Sequence, residues 1–562
     1  MPKACYYTSM DGTPAPGKSI KVPAGSDLAD AVDHAKCGDT LLLAAGQAYT
    51  IRLFPRKNCD DRHYIIVRTD VPDAKLPPED SRVSPAWGGV ANLPGRPPYA
   101  QPAGGPAKLL ARILVSDVNG VKFGDHYRFI GLEWTTPPGA QIGRLAFAGE
   151  ADHIIFDRNW FHGTDGQELH IGLGMNRGAQ YIAVIHSYFN SFTCTAKTGS
   201  CTDAVALGGG NGDLPSHVLK FVDNFLEASG ENILFGGGRA TMHPEDIEIR
   251  RNHLFKPMFW NPGSPDHQNP TPIVKNLFEL KNANRVLFEA NYLENSWAGF
   301  SQVGPAILLT PRNQANSAVN SNLCPGCAVT NITIRYVWIK KVNQVLQLAN
   351  PADAGHFASG GNSYSIHDIV AEGLGYKECG PGCGGTTMQI AGGNPRSPAA
   401  DIMHDVAIDH NTFVSMTARR SLMTMQGPPP GDPGAPHMFN ITFNNNIGEA
   451  GKFGPWPTGG TPEMNCAIRG DLRTRYQNCW DGGSSFIGNV LAGGKSIRQN
   501  ANWPDGNFFP NDQNDIGFVK LNGGLDGDYH LSPKSQFRGK GTDGRDPGAD
   551  MDAVLQAIAG VQ

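Results

Sequence analysis

The sequence predicts an all-β solenoid, and three observations carry that expectation. One phrase recurs along the chain: a short apolar strand, an Asn, then an aromatic or aliphatic residue. It reads Ile155-Phe156-Asp157-Arg158-Asn159-Trp160-Phe161, and returns around Asn224, Asn252, Asn291, Asn411 and Asn446. Directly successive copies lie about 28 to 39 residues apart, the period of stacked structural repeats. The runs before each Asn, such as Phe221-Val222 and Ile247-Glu248-Ile249, are short and rich in β-branched and aromatic residues, so strands fill each repeat. The 69 Gly and 42 Pro are scattered among these runs, which fits many turns.

The elements follow in order. Residues 26–35 place apolar side chains at helical spacing, with Ser26 as the expected N-cap. Cys37-Gly38-Asp39-Thr40 then turns into the strand Leu41-Leu42-Leu43. A helix here suits the exposed end of a solenoid, which otherwise presents apolar core and unpaired strand edges. Residues 71–107 are rich in Pro and Gly and read as a long excursion. Coils resume at His126-Tyr127-Arg128-Phe129-Ile130, His153-Ile154-Ile155-Phe156 and Tyr181-Ile182-Ala183-Val184, and continue to Ser485-Phe486-Ile487. Residues 550–558 form a short terminal helix.

The phrase AVDHAKCGDTLLLAAGQAYT near the start resembles the entry segment of the pectate-lyase-like right-handed parallel β-helix superfamily. The segment DYHLSPKSQFRGKGTDGRDPGADMDAVLQAI resembles the closing segment of secreted β-helix proteins. The resemblance implies one domain over 1–562: cap and first coil at 20–60, coils with loops over 61–530, and a closing cap at 531–562.

Bulk properties narrow the function. Hydrophobic content of 40% with 18% charged residues describes a folded chain. A net charge of −5 gives no reason to expect nucleic acid or an acidic membrane surface as partner. No apolar run approaches a transmembrane length, and a monomer is expected. Eleven cysteines pair by proximity as Cys37–Cys59, Cys194–Cys201, Cys324–Cys327, Cys379–Cys383 and Cys466–Cys479, leaving Cys5. The alternative is a metal site from the Cys-Pro-Gly-Cys and Cys-Gly-Pro-Gly-Cys segments; Pro and Gly there suit tight disulfide-closed turns. Disulfides imply a secreted or periplasmic protein. The first residues carry no signal-peptide pattern, so Met1 is expected to stand where a processed leader was replaced.

The repeated Asn residues read as scaffold. An Asn tolerates left-handed backbone in a recurring turn, and its amide can bond the Asn of the next coil. The phrase Ile408-Asp409-His410-Asn411 resembles a pectate-lyase signature, without the Arg-x-x-x-x-Arg companion nearby. The strands that would carry chemistry show no adjacent Asp-Asp pair of the kind that marks polygalacturonase-like β-helices.

The resemblance implies that chemistry sits on the first strand of each coil: 168–174, 203–210, 231–238, 274–281, 306–313, 345–350, 388–393 and 422–426. Alternation then sorts side chains. In 274–281, Phe278 and Leu280 share one face, and Lys275, Leu277, Glu279 and Lys281 the other. Three charges cannot enter a dry core without a large desolvation cost, so their face is expected to point outward and uncovered. Glu231 and Arg312 lie on neighbouring coils, about 4.8 Å apart per coil. The candidate catalytic set is therefore Lys275, Glu279, Lys281, Arg312 and Glu231. Arg239, His243, Trp260, Trp297, Asn313 and His170 are the candidate substrate-binding residues, with Phe300, His267 and His162 nearby. The plain alternative is a solvated ion-pair ladder. Acidic members, with Asp203, offer oxygen ligands for Ca²⁺, the one cofactor the sequence suggests, although no tight ligand motif is visible. The expected function is an extracellular lyase cleaving an acidic, uronate-containing polysaccharide by β-elimination. The alternatives are a glycoside hydrolase using paired carboxylates and a non-catalytic carbohydrate-binding or adhesive β-helix.

Overall fold

The computed structural model describes residues 1–140, 142–164, 167–195, 201–312, 326–350, 359–380, 382–392, 402–428, 437–457, 465–468, 470–497 and 502–562. They form two compact units: an N-terminal unit of residues 2–234, 244–273 and 561–562, and a C-terminal unit of residues 1, 235–243 and 274–560.

In the N-terminal unit, Asp125–Ile130, Asp152–Asp157, Gln180–Ile185, His217–Val222 and Glu245–Arg250 pair in parallel, one strand per coil. Their register stacks Phe129, Phe156, Val184, Phe221 and Ile249 into one column, buried throughout. A second parallel set runs through Leu132–Thr135, Trp160–His162, Tyr188–Phe192, Phe225–Ala228 and His253–Phe255. A third runs through Val121–Phe123, Arg144–Phe147, Ile171–Met175 and Val205–Gly209. Three parallel strands per coil around an apolar interior make this unit a parallel β-helix. The C-terminal unit repeats the design, with Phe288, Ile334, Ile366, Ile408, Phe443 and Phe486 as its core column.

The Asn residues form the expected ladder. Asn224 Nδ2 donates to Asn252 Oδ1 at 2.9 Å and to the Val184 carbonyl at 2.8 Å, while Ser187 N–H donates to Asn224 Oδ1 at 2.9 Å. In the C-terminal unit the chain of amides runs Asn411, Asn446, Asn489 and Asn507, each donating to the next. The backbone reading needs correction: the left-handed residue is the one before each Asn. Arg158, Asp223, Arg251, Ala290, His410 and Asn445 have φ between 49° and 56°. The kink turns the chain so that the following amide points inward, where every coil offers the same partners. Asn224→Ala removes a buried donor and acceptor together, so an unfolding free energy lower by about 1–3 kcal/mol per partner left unpaired is expected in urea titration.

The first helix, Leu28–His34, is capped by Asp27, whose side chain accepts from Ala29 N–H, and not by Ser26. The terminal helix Met551–Ile558 is capped by Asp550 as expected. A third helix, Leu472–Cys479, was not anticipated, because its sequence has too few apolar residues to show a stripe. The excursion at 71–107 is packed: Leu76, Val83, Ala86 and Trp87 share a buried cluster with Ile130, Trp160, Tyr188 and Phe225.

Disulfides join Cys37–Cys59, Cys194–Cys201, Cys379–Cys383 and Cys466–Cys479; Cys327 is also disulfide-bonded and Cys5 is a free, exposed thiol. Cys324 lies outside the described residues. Bonding of Cys379, Cys383 and Cys327 overturns the thiolate metal-site alternative. Among the described residues no helix is long and apolar enough to cross a membrane.

The phrase around His410 is structural. His410 contacts the Gly548 carbonyl through Nδ1 and Asp543 through Nε2, at 3.1 and 3.2 Å, which tethers the closing segment. Partial burial raises the Asp543 carboxyl, but Arg545 and His410 outweigh it and hold it down at about 2. A depressed carboxylate stabilises the fold above its unfolded value of 3.8 and loses that contribution as pH falls toward 2. Melting temperatures of the wild type and Asp543→Asn should therefore differ at pH 5 and converge as the pH is lowered through this window.

Candidate active site

In the C-terminal unit, Phe278–Leu280, Pro305–Leu309, Gln344–Ala349, Thr386–Ala391, Ser421–Gln426 and Pro455–Pro457 form one parallel sheet. Phe278 points inward and stacks on Phe288 at 4.3 Å. The opposite face carries the row Glu279, Leu308, Gln347, Gln389, Thr424 and Trp456, fixed by strand register. From Gln347 onward this row is half-buried. The alternation argument thus holds for direction, and it also yields Gln347, Gln389, Thr424 and Trp456, which sequence reasoning did not single out because it followed charge alone.

Burial departs from the expected open groove. Glu279 is 0% exposed and Lys275 only 7%, because the segment 298–304 folds over them. Gln302 bridges Asn276 and Glu279: Asn276 Nδ2 donates to Gln302 Oε1 at 2.9 Å and to Glu279 Oε2 at 2.6 Å, and Gln302 Nε2 lies 3.4 Å from Glu279 Oε2. The Phe300 ring lies 5.9 Å from Lys275 Nζ. Lys275 is thereby placed in loop packing. Lys281 Nζ lies 3.2 Å from Glu279 Oε1 and keeps 12% of its side chain in solvent. Paired this closely with a carboxylate, Lys281 suits charge neutralisation better than proton uptake.

The backbone brings further polar groups beside Lys281. Its N–H donates to the Phe235 carbonyl at 2.7 Å, and Arg312 N–H donates to its carbonyl at 3.1 Å. The chain at Gly236 (φ +93°) passes so close to Asn282 that an added Cβ would lie 2.6 Å from its nitrogen; a side chain there would push the 235–243 segment away. That segment carries the exposed Arg239 and the half-buried His243. His243 Nδ1 lies 2.8 Å from Asn282 Oδ1. Asn282 Nδ2 donates to the Met242 carbonyl at 2.9 Å and its Oδ1 faces Ala328 N–H at 3.4 Å, which settles the amide orientation. Oδ1 can only accept, so the neutral imidazole carries its proton on Nδ1 and leaves a lone pair on Nε2.

Trp297 is 2% exposed and packs inside its loop, so it offers no ring face to a ligand. Asn313 lies outside the described residues. Glu231, a residue of the N-terminal unit that opens the strand Glu231–Phe235, is 0% exposed. In the same unit His162 stacks on Trp160 at 3.9 Å and contacts Glu133 at 3.1 Å, a structural role. His267 holds the Phe259 carbonyl and Thr271. Trp260, with Phe259, Thr193, Thr195 and Gln268, lines a cavity of about 160 Å³. Thr195 also donates from its N–H to Glu168 Oε1 at 2.9 Å, and His170 lies 3.5 Å from the other oxygen. Burial raises the Glu168 carboxyl, but Thr195 and His170 hold it below its usual range. Asp203, considered for Ca²⁺, is half-buried and accepts from Thr202 Oγ1 at 3.3 Å.

No family model and no curated protein sequence matches the chain. Among solved structures it is similar to a PL6 family alginate lyase, with 12% identity and a TM-score of 0.44 over 95% of this chain and 58% of that one. It is also similar to a pectate lyase (13% identity, TM-score 0.34, 95% of this chain and 93% of that one). A third is the catalytic domain of a GH87 α-1,3-glucanase (9% identity, TM-score 0.31, 86% and 71%). The chain thus spans little more than half the length of the alginate lyase. Likeness at this level leaves the reaction to be argued from the residues.

Proposed function

We propose that this chain is a carbohydrate-active enzyme, a lyase that cleaves a uronate-containing polysaccharide by β-elimination on the outward face of the C-terminal unit's sheet. The observation that carries the reading is the grouping at one strand end: Lys281 held against Glu279, Arg312 beside it, and His243 with its Nε2 lone pair fixed by Asn282. Elimination needs the sugar carboxylate neutralised and a base for the proton at C5. Lys281 and Arg312 serve the first need and His243 the second. The row Gln347, Gln389, Thr424 and Trp456 supplies hydrogen-bonding groups and a ring face along the sheet, the features that fit successive sugar units. Among the described residues, the strands that this sheet draws from the C-terminal unit carry one carboxylate, Glu279, and two-carboxylate hydrolysis would need a second facing it.

The experiment is a panel of uronate polymers assayed in parallel for ultraviolet absorbance of an unsaturated product and for reducing ends. Both signals rising together support elimination. Reducing ends without absorbance would replace this reading with hydrolysis, and binding without either signal would replace it with a non-catalytic role.

A further inference from the structure

We infer that the N-terminal unit carries a site for a divalent transition metal of the Zn²⁺ class, built by Asp61, His126 and His153. The fold makes it by repetition. His126 and His153 are the second residues of in-register strands on successive coils, and both take left-handed backbone (φ 55° and 54°). The shared kink superimposes their side chains, so the imidazoles stack 4.6 Å apart and 4° from parallel.

Each ring has a carboxylate at both nitrogens. Nδ1 of His153 lies 2.7 Å from Asp152 Oδ1, and Nδ1 of His126 lies 3.3 Å from Asp125 Oδ2. Asp125 is itself fixed by backbone N–H groups of Lys57 and Cys59. Both Nε2 atoms converge on one oxygen, Asp61 Oδ1, at 3.2 and 3.4 Å. With the protons on Nδ1, directed at Asp125 and Asp152, both Nε2 lone pairs are left to ligate a cation shared with Asp61. A metal ion answers all three acceptors at once. Zn–N and Zn–O bonds of about 2.0–2.2 Å in tetrahedral geometry separate ligand atoms by about 3.3 Å, which matches the 3.2 and 3.4 Å from Asp61 Oδ1 to the two Nε2 atoms; the rings, stacked 4.6 Å apart, would tilt toward each other to share the ion. Carboxylates on the far nitrogens are the partners that orient metal-bound imidazoles. Tyr181 stacks on His153 at 4.3 Å and Tyr64 packs edge-on to His126 at 5.3 Å, walling the rings. Asp61 follows Cys59, which is bonded to Cys37, so an ion here would clip that loop to two coils. Three protein ligands leave a fourth position for water.

The test uses the full chain with Cys5→Ser, which removes the free thiol, stripped with a chelator and titrated with Zn²⁺ against a chromophoric competitor. One tightly bound equivalent is expected. Asp152→Asn should weaken it by about 10- to 100-fold, and Asp61→Asn, at a side chain 76% exposed and therefore safe for folding, by at least as much. His170→Gln, on the other histidine–carboxylate cluster, should leave it unchanged. The absence of a stoichiometric site, or wild-type affinity in both Asp61→Asn and His153→Gln, overturns the proposal.

Discussion

Glu227→Ala is expected to lower the unfolding free energy by about 3–5 kcal/mol, the range for breaking a fully buried ion pair. Arg96 and Glu227 both have 0% side-chain exposure. Arg96 Nε and Nη2 donate to the two carboxylate oxygens at 2.7 and 2.8 Å, and Ser191 N–H adds a third bond at 2.8 Å. The guanidinium also lies 4.8 Å from the Phe259 ring centre. Removing the carboxylate strands a charge that water cannot reach, and orphans a backbone donor. The double variant Arg96→Met with Glu227→Leu should recover most of the loss, since apolar residues of similar volume replace buried pairs at little cost. Urea unfolding of the two variants checks both statements; equal losses would show that the pair contributes through shape and not through charge.

His243→Gln is expected to reduce kcat/KM on the active uronate polymer by about 10²–10⁴-fold, the contribution of a positioned general base. Gln keeps a hydrogen bond to Asn282 within reach but provides no proton acceptor of comparable basicity. Lys281→Met should raise KM as well as lower kcat, because the group it removes holds the substrate carboxylate in the ground state and holds it more strongly as negative charge builds on it in the transition state. Steady-state kinetics on the two variants separate these roles. A His243→Gln enzyme with wild-type kcat would remove the base from the mechanism.

The fold was legible because each coil must solve the same problem: an inward polar turn needs the same amide every time, and that repetition survives in sequence as the Asn phrase. What the phrase hid was which residue bends, since the left-handed position holds Arg, Asp, Ala, His or Asn and so shows no pattern. The strand face at Glu279 was legible for direction, because alternation is local. Its cover was not, because 298–304 reaches Lys275 and Glu279 through Phe300 and Gln302, contacts that no periodicity encodes. Charge drew attention to Lys275 and Glu231, which are buried, and away from Gln347, Gln389 and Trp456, which line the same face. The stacked His126 and His153 were present in the strand starts and would have emerged from aligning coils on their ladder residues. The docking of 71–107 through Arg96 had no sequence signal, as its partner Glu227 lies on a distant strand.

The most direct measurement is a crystal structure of the His243→Gln variant with an oligosaccharide of the polymer that the wild type degrades. The account predicts sugar rings along Gln347, Gln389 and Thr424, with one uronate carboxylate within ion-pair distance of Lys281 and Arg312 and its C5 facing residue 243. Sugar bound instead in the Trp260 cavity, or against another face of either unit, would contradict it.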